Sequence, residues 1–248
     1  MATKASRKTR RTVVPARPSV STAATAADAL KALTRMGSAT AAAFAQRFFK
    51  TGAGQYGAGD QFLGIRVPVL RGFVRDLKGA GVEVALPLLK SSWHEARAVA
   101  LMLLVRQFQR SDEQTQKRIY QLYLKSTKFI NSWDLVDMSA EHIVGSWLMD
   151  KPVVREKVLT RLAKSKSLWE RRIAILATFH YLKKGDIGET LRVAKLLLKD
   201  KEDLIQKSVG WMLREVGKRV IRCCKIDRSY GTMIGYISRF PTELPIKF

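Results

Sequence analysis

Residues 93–108 read WHEARAVALMLLVRQF, and the spacing within this stretch decides the fold class. Ala98, Leu101, Leu104, Val105 and Phe108 recur at three- and four-residue steps, the period of one helix face and not the two-residue step of a strand. The same steps run from about Ala26 onward with no convincing strand pattern, so the expected class is all-α. Breaks are expected at Gly52–Gly59, before Val67-Pro68, at Gly79–Gly81, Ser91–Trp93, Ser111-Asp112, Lys151-Pro152, Lys164–Ser167, Gly185–Gly188 and Lys199–Glu202.

Outward from this helix, its opening recurs. Trp93-His94-Glu95-Ala96-Arg97, Trp133-Asp134-Leu135-Val136-Asp137, Trp169-Glu170-Arg171-Arg172 and Leu204-Ile205-Gln206-Lys207 each start an apolar helix with a charge near its beginning. Arg97, Asp137, Arg172 and Lys207 are 40, 35 and 35 residues apart. That is the period of paired-helix HEAT-like repeats, in which one helix of each pair lines a concave surface. The expectation is a curved α-solenoid with these four positions along one groove.

The chain has 248 residues and 46% hydrophobic content, enough for a sizeable core. Its longest apolar runs, such as Ala98–Val105, fall far short of the ~18 residues that a membrane span needs, so it reads as soluble, without a membrane partner. A formal net charge of +24 favours a polyanionic partner, nucleic acid first. Residues 1–25 form a basic arm that reads as disordered, although its acid-poor start also mimics an organelle transit peptide. The arm's six cations leave +18 on the remainder, so residues 26–248, read as one helical-repeat domain, are basic in their own right. Cys223 and Cys224 are adjacent and offer neither a disulfide framework nor a CxxC metal site. His94, His142 and His180 lack ligand spacing. No metal or cofactor is expected, and the compartment is read as the bacterial cytoplasm.

Two constellations carry chemistry. At 100° per residue, Trp133, Asp137, Ala140, Val144 and Trp147 share one stripe, which places a carboxylate among hydrophobes where it needs a cation or strong donors. Arg172, one repeat later, is the candidate partner. The pair is either a structural tie between repeats or part of an active site. In the helix near 203–219, Ile205, Val209, Met212, Leu213 and Val216 oppose a stripe of Asp203, Lys207, Trp211, Arg214 and Lys218. Trp211 there either stacks on a sugar or base while cations hold phosphates, or is covered by a neighbouring helix.

Four segments, in order, carry a resemblance to a known family: Phe62-Leu63-Gly64-Ile65-Arg66-Val67-Pro68, Ser132-Trp133-Asp134-Leu135-Val136-Asp137, Trp169-Glu170-Arg171-Arg172-Ile173-Ala174 and Ile205-Gln206-Lys207-Ser208-Val209-Gly210-Trp211-Met212-Leu213-Arg214-Glu215. Over about residues 28–240 the chain resembles the AlkD-like DNA alkylation repair enzymes. The resemblance implies a HEAT-like solenoid that excises N3- and N7-alkylated purines from double-stranded DNA, without flipping the lesion out of the stack. It implies Trp133, Asp137 and Trp211 as catalytic residues and Arg172 in the same cleft. It also implies Tyr56, Arg66 and Arg71 at the amino-terminal DNA contact. Arg97, Lys207, Arg214 and Lys218 complete the expected DNA-binding set. Gly231 and Gly235 stand where the family often has arginines. A solenoid with one groove can act as a monomer. The competing readings are a noncatalytic DNA-binding solenoid and a protein-interaction scaffold.

Overall fold

The computed structural model describes residues 25–223, with side chains to 220. The basic arm, apart from Thr25, and the Gly231–Gly235 segment lie outside the described residues.

The expected breaks separate the helices. Thr25 and Asp28 form a reciprocal capping box that starts α1 (Ala26–Arg35), followed by α2 (Ala39–Phe48). Pro68 sits in the first turn of α3 (Val67–Asp76), where a missing N–H costs nothing. Then come α4 (Val82–Leu89), α5 (His94–Phe108) and α6 (Glu113–Lys125), the last capped by the Asp112 side chain. A short 3₁₀ turn leads to α7 (Trp133–Asp137) and a π-helical turn, Glu141–Gly145. The series continues with α8 (Pro152–Ala163), α9 (Leu168–Ala177), α10 (Phe179–Lys183), α11 (Gly188–Leu197) and α12 (Asp203–Cys223). No strand occurs among the described residues, only an isolated bridge between Gln61 and Trp93.

The helices pack as consecutive pairs, α4 on α5, α8 on α9 and α11 on α12. The second members form a row, with α5 against α7, α7 against α9 and α9 against α12. This is an all-α helical repeat fold. From α9 into α10 the row runs parallel to α12 and in register: Arg172 of α9 meets Leu204 and Phe179 of α10 meets Trp211, both at a spacing of 32.

The sequence reading treats residues 133–147 as one straight helix, and here the structure corrects it. The π-helical turn adds residues to the winding, so the expected stripe breaks after Asp137. Trp147 instead stacks on Tyr120 of α6. Gly145 permits the arrangement, because a Cβ there would meet the Ala177 carbonyl at 2.3 Å.

Candidate active site

The site is assembled around the first turn of α7. Its support begins in the loop before α3, where Gly64 has φ +78 and a Cβ would meet the Ser38 carbonyl at 2.3 Å. The Glu95 carboxylate accepts the amides of Leu63 and Gly64, each at 2.8 Å, and of Ile65 at 3.2 Å. The Phe62–Pro68 segment is therefore pinned onto the start of α5.

His94 extends this support to α7. Its ring contacts Asp60 through Nδ1 at 3.0 Å and Asp134 through Nε2 at 2.8 Å, and it stacks on Phe62. Two carboxylate partners require both nitrogens to donate, as in the imidazolium. Burial works against that charge, but the two carboxylates outweigh it and raise the His94 pKa to about 9. Burial likewise opposes the ionised Asp134, yet the His94 charge holds its carboxyl below the usual value. Ser132 adds a hydrogen bond to Asp134 at 2.7 Å.

Arg97, expected in the groove, is buried instead. Its guanidinium pairs with Asp60 and donates to the carbonyls of Ser91 and Ser92. The structure thus places Arg97 inside the protein, 4% exposed, with its terminal nitrogens on Asp60 and two backbone carbonyls. The four-fold register survives in altered form. The 40-residue step is bridged by His94 to Asp134, and the first 35-residue step by Asp137 to Arg172.

Asp137 lies one turn beyond Trp133, with its side chain only 3% exposed. Arg172 clamps it in a bidentate fork, Nε to Oδ1 and Nη2 to Oδ2, both at 2.8 Å. Arg172 Nη1 donates to the Leu204 carbonyl at 2.7 Å, so three repeats meet at one guanidinium. Burial pushes the Asp137 carboxyl above its ordinary pKa, and Arg172 opposes this. Arg172 was expected among the DNA contacts. In the structure its side chain is 5% exposed, and its three nitrogens are engaged by Asp137 and the Leu204 carbonyl.

Trp133 is roofed by Phe48 and Phe49, which the sequence reading did not single out, and by Tyr56, which it expected at the DNA contact. Phe49 stacks on it at 5.4 Å and Phe48 meets it edge-on at 6.1 Å. Tyr56 lies beside the indole N–H and meets Trp169 edge-on at 6.1 Å. Burial raises the Tyr56 pKa. Phe44 stacks on Phe48, and these two rings are 64% and 48% exposed. An aromatic ridge thus runs from solvent to Trp133 on α2, a helix with no buried residue. Its signal in the sequence is the four-residue spacing of Phe44 and Phe48, without an apolar partner face. Beside the ridge opens a cavity of about 550 Å³ lined by Phe44, Phe49, Arg66, His94 and Asp134 among others.

The remaining expected residues divide. Arg66 and Arg71 are exposed on α3, with no partner among the described residues. Lys207 pairs with Asp203 at 2.7 Å, and Lys218 pairs with Glu215 at 2.7 Å. Trp211 tilts against Phe179 at 5.6 Å, and Lys183 and Arg219 lie over the Phe179 ring. Of the two readings open for Trp211, the covered one describes much of the ring. Among the described residues, no group of three or more His, Cys, Asp or Glu is placed to hold a metal ion. No described helix is long and apolar enough to cross a membrane.

Residues 29–223 match the family model described as "DNA alkylation repair enzyme". The chain belongs to this family. A solved structure titled "Predicted DNA alkylation repair enzyme from Enterococcus faecalis" aligns with the repair-family chain at a TM-score of 0.58 and 16% identity, covering 84% of this chain and 98% of that one. At that identity the likeness concerns the fold. No curated protein matches. The family model spans the whole Trp133–Asp137–Arg172–Trp211 constellation of this DNA alkylation repair enzyme.

Proposed function

We propose that this chain is a DNA glycosylase that hydrolyses the N-glycosidic bond of N3- and N7-alkylated purines, with Asp137 as the catalytic carboxylate. The observation that carries the reading is a carboxylate fixed in two directions by Arg172, one turn from Trp133, in a strongly basic chain. An alkylated purine carries positive charge and leaves with the bonding electron pair, becoming neutral without a general acid. The deoxyribose is left oxocarbenium-like, and water adds to C1′ and loses a proton. A carboxylate held in place before the reaction stabilises that charge without reorganising. Trp133, and Trp211 from α12, supply π faces for the cationic base or sugar.

Asp137 is reached when the roof of Phe49 and Tyr56 yields. The elements that carry it suit that motion, because α2 buries no residue and the following loop turns at Lys50 (φ +51), Gly54 (φ +75) and Gly59 (φ +84). On this reading the lesion is excised without being flipped out of the stack, as the resemblance implies. Arg66, Arg71, Lys207, Arg214 and Lys218 would hold the flanking phosphates.

The closed Asp137–Arg172–Leu204 arrangement also fits a noncatalytic DNA-binding solenoid. The deciding experiment is release of free N7-methylguanine or N3-methyladenine from methylated duplex by the purified full chain. Release by wild type and its loss in Asp137→Asn, with DNA affinity retained, supports the glycosylase. DNA binding without any release establishes the binding module instead.

A further inference from the structure

At the opposite end of α5 from His94, twelve residues and thus about 18 Å along the axis, the surface is built differently. A cavity of about 460 Å³ opens between the α3–α4 turn and the last turn of α5. Arg75, Lys78, Arg106 and Arg110 line it, and no lining residue is acidic. Arg75, Lys78 and Arg110 are exposed and pair with no described residue.

Arg106 forms a fixed floor. It donates to the carbonyls of Val74 and Leu77 at the end of α3, the latter at 2.7 Å, so its charge cannot swing away. Burial and the adjacent Arg110 both lower its pKa, the sign of a cation in an unfavourable place. Of the neighbouring acids, Glu83 stands at the rim of the cup beside Gly81, and Asp112 is turned to its own helix. Glu83 accepts the Gly81 amide and Asp112 the Thr115 amide, each at 2.8 Å. Gln107 also lines the cavity, and its Oε1 is buried with no hydrogen-bond partner.

Four cations gathered around the one rim carboxylate of Glu83 still repel one another, and the arrangement is relieved when an anion enters. We propose that this cup is a phosphate-binding site, in which Arg75, Lys78 and Arg110 close on phosphate oxygens above the fixed Arg106. Its volume exceeds that of one phosphate and suits two consecutive groups, as in pyrophosphate or two successive phosphodiesters of a DNA strand. The inference does not rest on the glycosylase reading.

The test compares two triple variants of the full chain that remove the same charge. One is Arg75→Gln/Lys78→Gln/Arg110→Gln in the cup. The other is Lys117→Gln/Arg118→Gln/Lys125→Gln on the exposed face of α6. Both alter exposed side chains, and circular dichroism melts check that each is folded. Pyrophosphate is titrated into labelled protein, and duplex affinity is followed against salt. Shifts of the Gly79 and Gly81 amides and the Gln107 side-chain amide, present in wild type and the α6 triple but absent in the cup triple, support the site. If its phosphates come from DNA, the cup triple also lowers the log–log salt slope by about 2 to 3 more than the α6 triple. An equal slope in both triples, with pyrophosphate binding lost only from the cup triple, assigns the site to free phosphates. The proposal is overturned if pyrophosphate shifts none of these amides and the two triples change the slope equally.

Discussion

Two buried ion clusters stand side by side in this molecule and have arginines at equivalent places in the sequence repeat, yet they are built for different ends. In the first, Arg97 reaches back to Asp60 in a loop, and His94 carries the chain of contacts on to Asp134. Two cations face two carboxylates, with the Ser91 and Ser92 carbonyls taking Arg97 Nη1 and the Arg97 Nε left without a partner. In the second, Arg172 reaches back to Asp137 in the helix of the preceding repeat, directly below Trp133. Repeat position alone therefore does not set an arginine's role. What sets it is where the partner carboxylate comes from, and what covers that carboxylate.

The sharpest way to break this contrast is to remove one member of each cluster. Arg97→Ala leaves Asp60 buried with a single partner and should cost about 3 to 5 kcal/mol of stability, read from denaturant midpoints. At temperatures where the variant is folded, base release per folded molecule should stay near wild type. Asp137→Asn should do the reverse in kind, lowering single-turnover release about 10²- to 10³-fold with little loss of duplex affinity. Because burial raises the Asp137 pKa, the acid limb of release should lie above the ordinary carboxylate range, with activity falling as pH drops through it. The Asn variant's residual rate should be flat there. If Arg97→Ala proves the more damaging to chemistry in folded protein, the roles assigned to the clusters are exchanged.

A smaller effect separates the clusters by pH. His94 holds a proton in the folded chain up to about pH 9, against an unfolded value near 6.5. Between those limits the native state binds one more proton than the unfolded state, so stability must fall as pH rises. The contribution, on the order of 3 kcal/mol by that shift, is complete below about pH 6.5 and gone above about pH 9. His94→Gln should flatten the stability–pH curve in this window. A curve as steep as wild type would show that another group titrates there.

Most of the fold was legible from the sequence because it rests on local signals. The Pro68 and Pro152 starts, the Gly79–Gly81 and Gly185–Gly188 breaks and the caps at Asp112 and Ser167 act within a few residues. The π-helical turn was not legible, because Glu141–Gly145 has no residue type that marks it. Its cause is the close approach of Gly145 to the Ala177 carbonyl, a contact across 32 residues. At the candidate site, the 35-residue step joined Asp137 to Arg172. The Arg97–Asp60 pair was not legible, because Asp60 sits in a loop outside the repeat period. The roof of Phe48, Phe49 and Tyr56 was missed as a unit, since Phe48 and Phe49 end α2 while Tyr56 lies in a glycine-rich loop that has no periodicity to read.

The smallest expected effect lies at the surface, where the two ends of the chain differ. Arg66 and Arg71 pair with no described residue, whereas Lys207 and Lys218 lean on carboxylates of their own helix. Such exposed pairs are worth about 0.3 to 0.5 kcal/mol, so a phosphate can displace them, but each then leaves a carboxylate beside the DNA. Removing Arg66 or Arg71 should therefore lower the salt slope of duplex binding by about 1 each. Lys207→Ala and Lys218→Ala should lower it by less, since the first also frees Asp203 to repel the strand and the second leaves Glu215 held by Arg219 alone. Measuring all four slopes in one salt series ranks the ends directly. Equal slopes would mean that the helical pairs open fully on DNA, and that α12 grips the duplex as firmly as α3.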